Sequence, residues 1–443
     1  MTQPVYSTGS RLTAMAETTT RTALEPLRAL RYDAARVALD DVVAPPYDVI
    51  SPADRDALLR RDEHNVVRLE LPETPNAAAQ LLHEWRRDGI LHRDEQPAVW
   101  WHEQRFTGPD GVDRTRAGFF SAVRLSPYEE GRVRPHERTH AHAKQGRLDL
   151  LRATATNISP IFALYDDPES GARAALQPGD RVPDMEATDA DGTVHRFWRA
   201  AGREAISAAQ DALAGREILI ADGHHRYETA LAYRSEQRER DGDPGEDRPY
   251  DFVLMYLANL HGEGLAVYPT HRVIVAQREV DPRFLSAFSV RELPPGTSPA
   301  HVESELGGID SGTVAFALWR GPERAPLIAQ VRDTSTVMMA MPGTPKALRA
   351  VDAAVLEALV LAPLLGLDTD QFLVTDQVRY VRGLDAAASM VDSGEASSAF
   401  LLRAPTVEQV QAVAAAGRVM PQKSTYFFPK LATGFLLNPL RAE

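Results

Sequence analysis

Apolar and polar positions follow strand and helix periods over most of the chain, and the sharpest switch between them falls at residues 217–234, E-I-L-I-A-D-G-H-H-R-Y-E-T-A-L-A-Y-R. Ile218, Leu219, Ile220 and Ala221 form a short continuous apolar run, the pattern of a buried strand. Asp222-Gly223 is turn chemistry, and from Arg226 onward Tyr227, Ala230 and Leu231 recur at helical spacing. Upstream, two prolines in V-V-A-P-P-Y-D-V-I-S (42–51) fix an extended path, and Ser51-Pro52 opens a helix. Residues 64–71 alternate as a strand ending near Glu70. Residues 77–89 read as an amphipathic helix through Leu81, Leu82 and Trp85, stopped by Gly89. Residues 98–106 and 114–125 flank a Gly/Asp-rich turn and predict a hairpin, with Trp100 and Trp101 in the core or on the sheet face. A short helix (148–153), strands at 157–165 and 193–198, and a helix at 204–214 lead into the central stretch; an apolar strand at 250–260 follows it.

From about Val273 shorter helix and strand patterns alternate as far as Gly417, which predicts a second α/β domain built as a two-layer sandwich. Met1–Thr22 is rich in Thr and Ser without periodicity and reads as a disordered leader. The expected division is therefore a leader at 1–22, a first domain at 23–272, and a second at 273–443. The closing stretch, with Tyr426, Phe427 and Phe428 together, should pack back on the first domain.

Composition narrows the function. The 443 residues are 44% hydrophobic and 25% charged, as in ordinary globular proteins. A formal net charge of −13 argues against nucleic acid or an anionic membrane as partner, since both attract basic surfaces. The absence of cysteine excludes disulfides and thiolate chemistry. No apolar run reaches membrane length and no signal-peptide core follows the start, so a cytoplasmic protein is expected.

The strand–turn–helix at 217–234 leaves helix N-terminal amides unpaired, a natural anion site. His224, His225 and Arg226 suit a phosphate there, and Asp222 suits a metal or a hydroxyl proton. A merely solvated turn could carry the same residues, but their density behind a buried strand favours a site. The second polar cluster, 134–147, contains His136-Glu137-Arg138-Thr139-His140, which matches the H-E-x-x-H zincin pattern. Pro135 and the polar neighbours give this segment no apolar helix face, and Ala143 stands where the extended pattern needs glycine. The reading preferred over a zinc-dependent hydrolase is a mobile loop carrying Glu137, Lys144 and Arg147 to a site. Tyr47 and Asp48 sit on a rigid turn as ligand contacts or as packing and capping residues. His271 and Arg272 form a further polar tip after a strand, and Asn157 opens another.

Together A-D-G-H-H-R-Y (221–227), A-P-P-Y-D-V-I-S (44–51), Glu137 and Thr139 with Lys144 and Arg147, and K-S-T-Y-F-F-P-K (423–430) resemble a bacterial and archaeal domain of unknown function, number ten-fifteen. The likeness spans nearly the whole chain from Ala23. The D-G-H-H-R core is similar to the signature turn of the ParB/sulfiredoxin superfamily, which includes kinases of free serine. That resemblance implies a ParB/sulfiredoxin-like mixed-sheet core with insertions. It also implies a kinase using Mg²⁺ and ATP or ADP on a small hydroxyl compound, serine or a relative. A sulfiredoxin needs a cysteine, and a ParB protein needs a basic surface; this chain has neither. By resemblance His224, His225, Gly223 and Arg226 hold the transferred phosphate, Asp222 orients the metal or the hydroxyl, and Glu137 is the base, with Glu70 its rival. Lys423, Ser424 and Thr425 join the candidate substrate and nucleotide contacts. A nucleotide- or amino-acid-binding regulator without turnover is the alternative.

Overall fold

The computed structural model describes residues 24–441 except 138–140, 277–279, 281–285, 368–370 and 374. The expected leader lies outside the described residues. The fold is α/β, with a large mixed sheet and a separate antiparallel one.

The large sheet has nine strands: β1 (Leu24–Glu25), β2 (Val99–Thr107), β3 (Asp113–Arg124), β4 (Val133–Arg134), β5 (Ile161–Tyr165), β6 (Met185–Thr188), β7 (Val194–Ala200), β8 (Ile218–Asp222) and β9 (Phe252–Asn259). They run in the order β4-β8-β5-β9-β3-β2-β7-β6, with β1 paired to β3. Only β4/β8 and β5/β9 are parallel among the described pairs. The central strands β5 and β9 are buried at every position, which is why their sequences read as unbroken apolar runs. The predicted 98–125 hairpin is the β2–β3 pair, with Trp100 and Trp101 buried. Gly223 alone separates β8 from the helix His224–Arg240. The helix Ala141–Thr154 lies against it.

Two local readings differ from expectation. Residues 64–71 hold a helical turn, Val67–Glu70, in place of a strand. The Asn65 side-chain oxygen accepts the Val67 N–H at 3.0 Å, which starts a helical turn and lets Val66, Val67, Leu69 and Glu70 all be buried. Residues 141–147 of the expected loop belong to the same helix Ala141–Thr154, so Arg147 projects from a helix.

The second sheet comprises β10 (Thr270–Ile274), β11 (Phe288–Glu292), β12 (Ala315–Trp319), β13 (Leu327–Val331), β14 (Val378–Arg382) and β15 (Ser398–Leu401), ordered β11-β13-β12-β15-β10-β14 and antiparallel throughout. Alternation along β12 sends Ala315, Ala317 and Trp319 against helices Pro299–Gly307 and Leu384–Asp392. Phe316 and Leu318 face a cluster holding Val355, Val360 and Val410 on the other side. Helices thus cover both faces, one layer more than the expected two.

After this sheet the chain returns as a strap. Tyr426–Phe428 pairs with Ala266–Tyr268, Thr433 bridges Ala44, Leu437 bridges Leu30, and Asn438–Pro439 pairs with Thr156–Asn157. Arg116, fully buried, anchors it by donating to the carbonyls of Phe428 and Pro429 (3.3 and 2.7 Å) while Gln104 Oε1 accepts from the same guanidinium. One apolar core contains Leu254 of the first sheet, Phe316 of the second and Phe427 of the strap. Among the described residues no helix is long and apolar enough to cross a membrane.

Candidate functional site

Where β8 gives way to the following helix, the pairing register to β5 shifts between Ile220 and Asp222, leaving a bulge at Ala221. Gly223 then takes φ +100°, a left-handed conformation open to glycine. The bulge and turn aim Asp222 into a cleft of about 130 Å³. No side chain caps the N-terminus of the 17-residue helix, whose first residues line the same cleft.

Asp222 is the electrostatic centre. Its Oδ1 lies 2.5 Å from Lys430 Nζ and its Oδ2 2.8 Å from Arg226 Nη2. Burial by itself would raise this carboxyl, but the Lys430 ammonium and the Arg226 guanidinium outweigh it and hold Asp222 well below the usual carboxylate range. Arg226 also donates to the Pro160 carbonyl, while its buried Nε has no protein partner. The guanidinium is thus spent largely on fixing Asp222.

His224 is buried, and its Nε2 accepts the His136 backbone N–H at 3.2 Å. Burial, with His136 beside it, lowers its pKa well below the ordinary histidine value, so it is a neutral hydrogen-bonding group and not the phosphate-binding cation expected. His225 lines the cleft. His136 is buried with Nδ1 donating to the Ile220 carbonyl at 2.5 Å and Nε2 accepting from the Thr425 hydroxyl at 2.7 Å. With both nitrogens engaged it cannot ligate zinc, which corrects the zincin alternative. His140 and Thr139 lie outside the described residues. Glu137 does reach the cleft, where its Oε1 accepts the Lys423 N–H at 2.9 Å.

The remaining candidates divide. Tyr47, Asp48, Lys423 and Thr425 line the cleft. Arg147 lies behind it, 4.0 Å over the Tyr47 ring and 3.3 Å from Glu70. Glu70, the rival base, is buried and also accepts from Ser159 at 2.7 Å, so it braces Arg147 and does not face the cleft. Asn157 accepts the Leu254 N–H and belongs to the core. His271 accepts the Leu402 N–H within the second sheet. Arg272 donates to the carbonyls of Gln422 and Lys423, shaping the cleft wall from behind, and the Ser424 hydroxyl turns to Pro421. Of Lys144 only the helical backbone is described.

Asp222, expected to hold Mg²⁺, has both oxygens in ion pairs, so it does not fit a metal in this arrangement. Among the described residues no group of three or more His, Cys, Asp and Glu side chains could hold one.

The family model described as "Protein of unknown function (DUF1015)" matches residues 24–352. The chain belongs to that family. No curated protein matches it. Solved structures similar to this DUF1015 chain include a free serine kinase in complex with AMP, at 16% identity and TM-score 0.34, covering 70% of this chain and 86% of that one. A mutant of a free serine kinase with ADP matches at 14% identity and TM-score 0.36, covering 70% and 87%. A conserved hypothetical protein from Pyrococcus furiosus matches at 16% identity and TM-score 0.34, covering 72% and 95%. Likeness of this degree carries no argument about the reaction.

Reading the DUF1015 sequence alone missed the roles of Lys430, Arg382 and Tyr426. Arg382, at the end of β14, stacks 4.0 Å over the Tyr426 ring, and both line the cleft with Lys430. Lys430 stands in the quoted K-S-T-Y-F-F-P-K stretch, but nothing local pairs it with an aspartate 208 positions earlier.

Proposed function

We propose that this DUF1015 chain transfers a phosphoryl group from a nucleotide to the hydroxyl of a small metabolite, serine or a close relative. The observation that carries the reading is the convergence of Asp222, Glu137, Lys430, Lys423 and Arg382 on one small cleft at an uncapped helix N-terminus. Phosphoryl transfer asks a protein mainly for alignment and for neutralisation of charge on the phosphoryl oxygens. Lys430, Lys423 and Arg382 with the helix amides supply the second. Asp222 supplies the first, because it locks Lys430 in place across the cleft.

In this reading Glu137 takes the acceptor's hydroxyl proton as the oxygen bonds to the terminal phosphorus. The bond from that phosphorus to the bridging oxygen breaks, and the nucleotide leaves one phosphate shorter. Two features support Glu137 over Glu70. It lines the cleft, and its Oε2 lies 4.0 Å from His136 Nε2, beyond hydrogen-bond length. A donor nucleotide in cells carries Mg²⁺ on its phosphates, which would add to the charge neutralisation there.

The test is incubation of the purified chain with Mg²⁺, ATP or ADP in turn, and pooled amino acids and polyols, followed by mass spectrometry for new phosphate esters. A phosphoester that disappears in Asp222→Ala, with at least a ~10²-fold loss of turnover, is expected. Nucleotide binding with no ester formed would leave a binding regulator instead. Near-normal turnover in Asp222→Ala would reject the site.

A further inference from the structure

A second cavity, about 410 Å³, opens beside the small cleft, and the two share Arg382, Tyr426 and Lys430. Its lining is of another kind. Pro45 and Pro46 hold an extended, rigid wall, and Ile50 and Leu58 with Phe428 and Pro429 of the strap complete the apolar lining. Arg116 pins that strap from below through the carbonyls of Phe428 and Pro429, so the apolar wall is built and not a loose surface.

The tip of the β6–β7 hairpin adds two carboxylates that line only the larger cavity, Asp189 and Asp191. Asp189 is engaged: its Oδ1 accepts the N–H groups of Asp191 and Thr193 at 3.0 and 2.9 Å, and its Oδ2 meets His195 Nε2 at 3.0 Å. That network fixes the hairpin tip; Asp54, which also lines the cavity, accepts from the Ser51 N–H and hydroxyl in the helix cap, and Asp191 is the carboxylate offered to a ligand.

Size separates the two spaces. The cleft suits a phosphoryl group with a serine-sized acceptor, whereas 410 Å³ falls within the range of sites for larger organic ligands. A nucleoside fits the chemistry of the larger one. Its base has two flat faces suited to proline, isoleucine and phenylalanine walls, and its phosphates extend toward cations. A carboxylate in the same cavity favours a base edge that donates a hydrogen bond.

We propose that the larger cavity binds the nucleoside of the phosphate donor, a purine whose exocyclic amine donates to Asp191 while its phosphates reach Lys430 at the shared wall. This rests on the phosphotransfer reading for the direction of the phosphates, but its test needs no turnover. The full chain is titrated calorimetrically with ADP, IDP and inorganic pyrophosphate. ADP should bind at least ~10-fold tighter than IDP, because the inosine oxygen turns an acceptor toward the carboxylate. Ala57→Trp places an indole in the cavity from a solvent-exposed helix position, so the fold should survive. It should weaken ADP at least ~10-fold and leave pyrophosphate unchanged. Asp191→Ala should abolish the preference for ADP over IDP without moving pyrophosphate. ADP binding by Ala57→Trp at wild-type strength, or ADP binding no tighter than pyrophosphate, would overturn the assignment. If these binding results hold and no phosphoester is ever formed, the cavity assignment stands and the reaction falls; turnover with normal ADP binding in Ala57→Trp gives the reverse.

Discussion

Lys430 Nζ sits 2.5 Å from Asp222 Oδ1, although the two residues are 208 positions apart. The pair joins the end of β8 to the C-terminal strap, so the cleft exists only when the strap is in place. Lys430→Met removes one of the two cations that hold Asp222 ionised and leaves Arg226 alone to compensate a buried charge. Turnover is expected to fall at least ~10²-fold, with weaker nucleotide binding. The sign for stability follows from the depressed carboxyl. Its stabilising contribution is present above an unfolded pKa near 3.8 and is lost as pH falls below it. Urea denaturation at pH 7 and pH 3 should therefore show a smaller acid loss in the variant than in the parent.

Glu137→Gln keeps the hydrogen bond from the Lys423 N–H, because the amide oxygen can still accept it. Only the proton acceptor disappears. In steady-state assays kcat should drop between ~10² and ~10⁴-fold while the nucleotide KM stays within a few-fold. A matching change in KM would mean that Glu137 binds nucleotide and does not take a proton.

Much of this architecture was legible because burial writes itself into local pattern. β8 and β9, buried along nearly their whole length, stand out as apolar runs, and Ser51-Pro52 marked a helix start that the structure caps with Asp54. The failures share a cause. At 64–71, apolar spacing fitted a strand, but the Asn65 side chain bonded forward to the backbone and won locally. His136 and His140 have zinc spacing, but the partners of His136 are a carbonyl on β8 and a hydroxyl on the strap, both remote in sequence. Asn157, His271 and Arg272 looked like site residues because they are polar beside strands; each instead satisfies a buried backbone group. Side-chain type was readable from the sequence, and side-chain direction was not.

Gly223 gives a sharper test of the turn. A Cβ at this position, besides being strained at φ +100°, would lie 3.0 Å from Arg226 Nε and 3.1 Å from its Cζ. Gly179 at φ +63° has nothing within 4 Å, so Gly179→Ala carries the backbone strain alone. Both alanine variants should lose ~1–2 kcal/mol in urea denaturation. Gly223→Ala alone should also lose activity, about tenfold or more, as Arg226 is pushed from Asp222. Equal activity in the two would show that the guanidinium's position is irrelevant.

Arg116 is predicted to hold the strap. Arg116→Met keeps much of the apolar stem but orphans Gln104 Oε1 and the carbonyls of Phe428 and Pro429. A loss on the order of 3 kcal/mol is expected. Hydrogen exchange should rise most at the backbone of residues 426–430. Uniformly faster exchange across both sheets would instead indicate a global role.

His271 sets a pH dependence. Burial, reinforced by the adjacent Arg272 guanidinium, pushes its imidazole down to about 4 in the fold, against 6.5 for the free side chain. As pH falls below about 6.5 the unfolded chain takes up a proton that the native state refuses, so stability declines until about pH 4 and levels below it. The full effect of this one group is roughly 3 kcal/mol. Buried His102, His136 and His224 shift in the same direction and deepen the decline. His271→Asn retains an oxygen able to accept the Leu402 N–H, yet it cannot titrate. Between pH 7.5 and pH 5 the variant should lose about 2 kcal/mol less than the parent in urea denaturation. Parallel losses would mean that His271 takes up its proton in the native chain at the same pH as in the unfolded one.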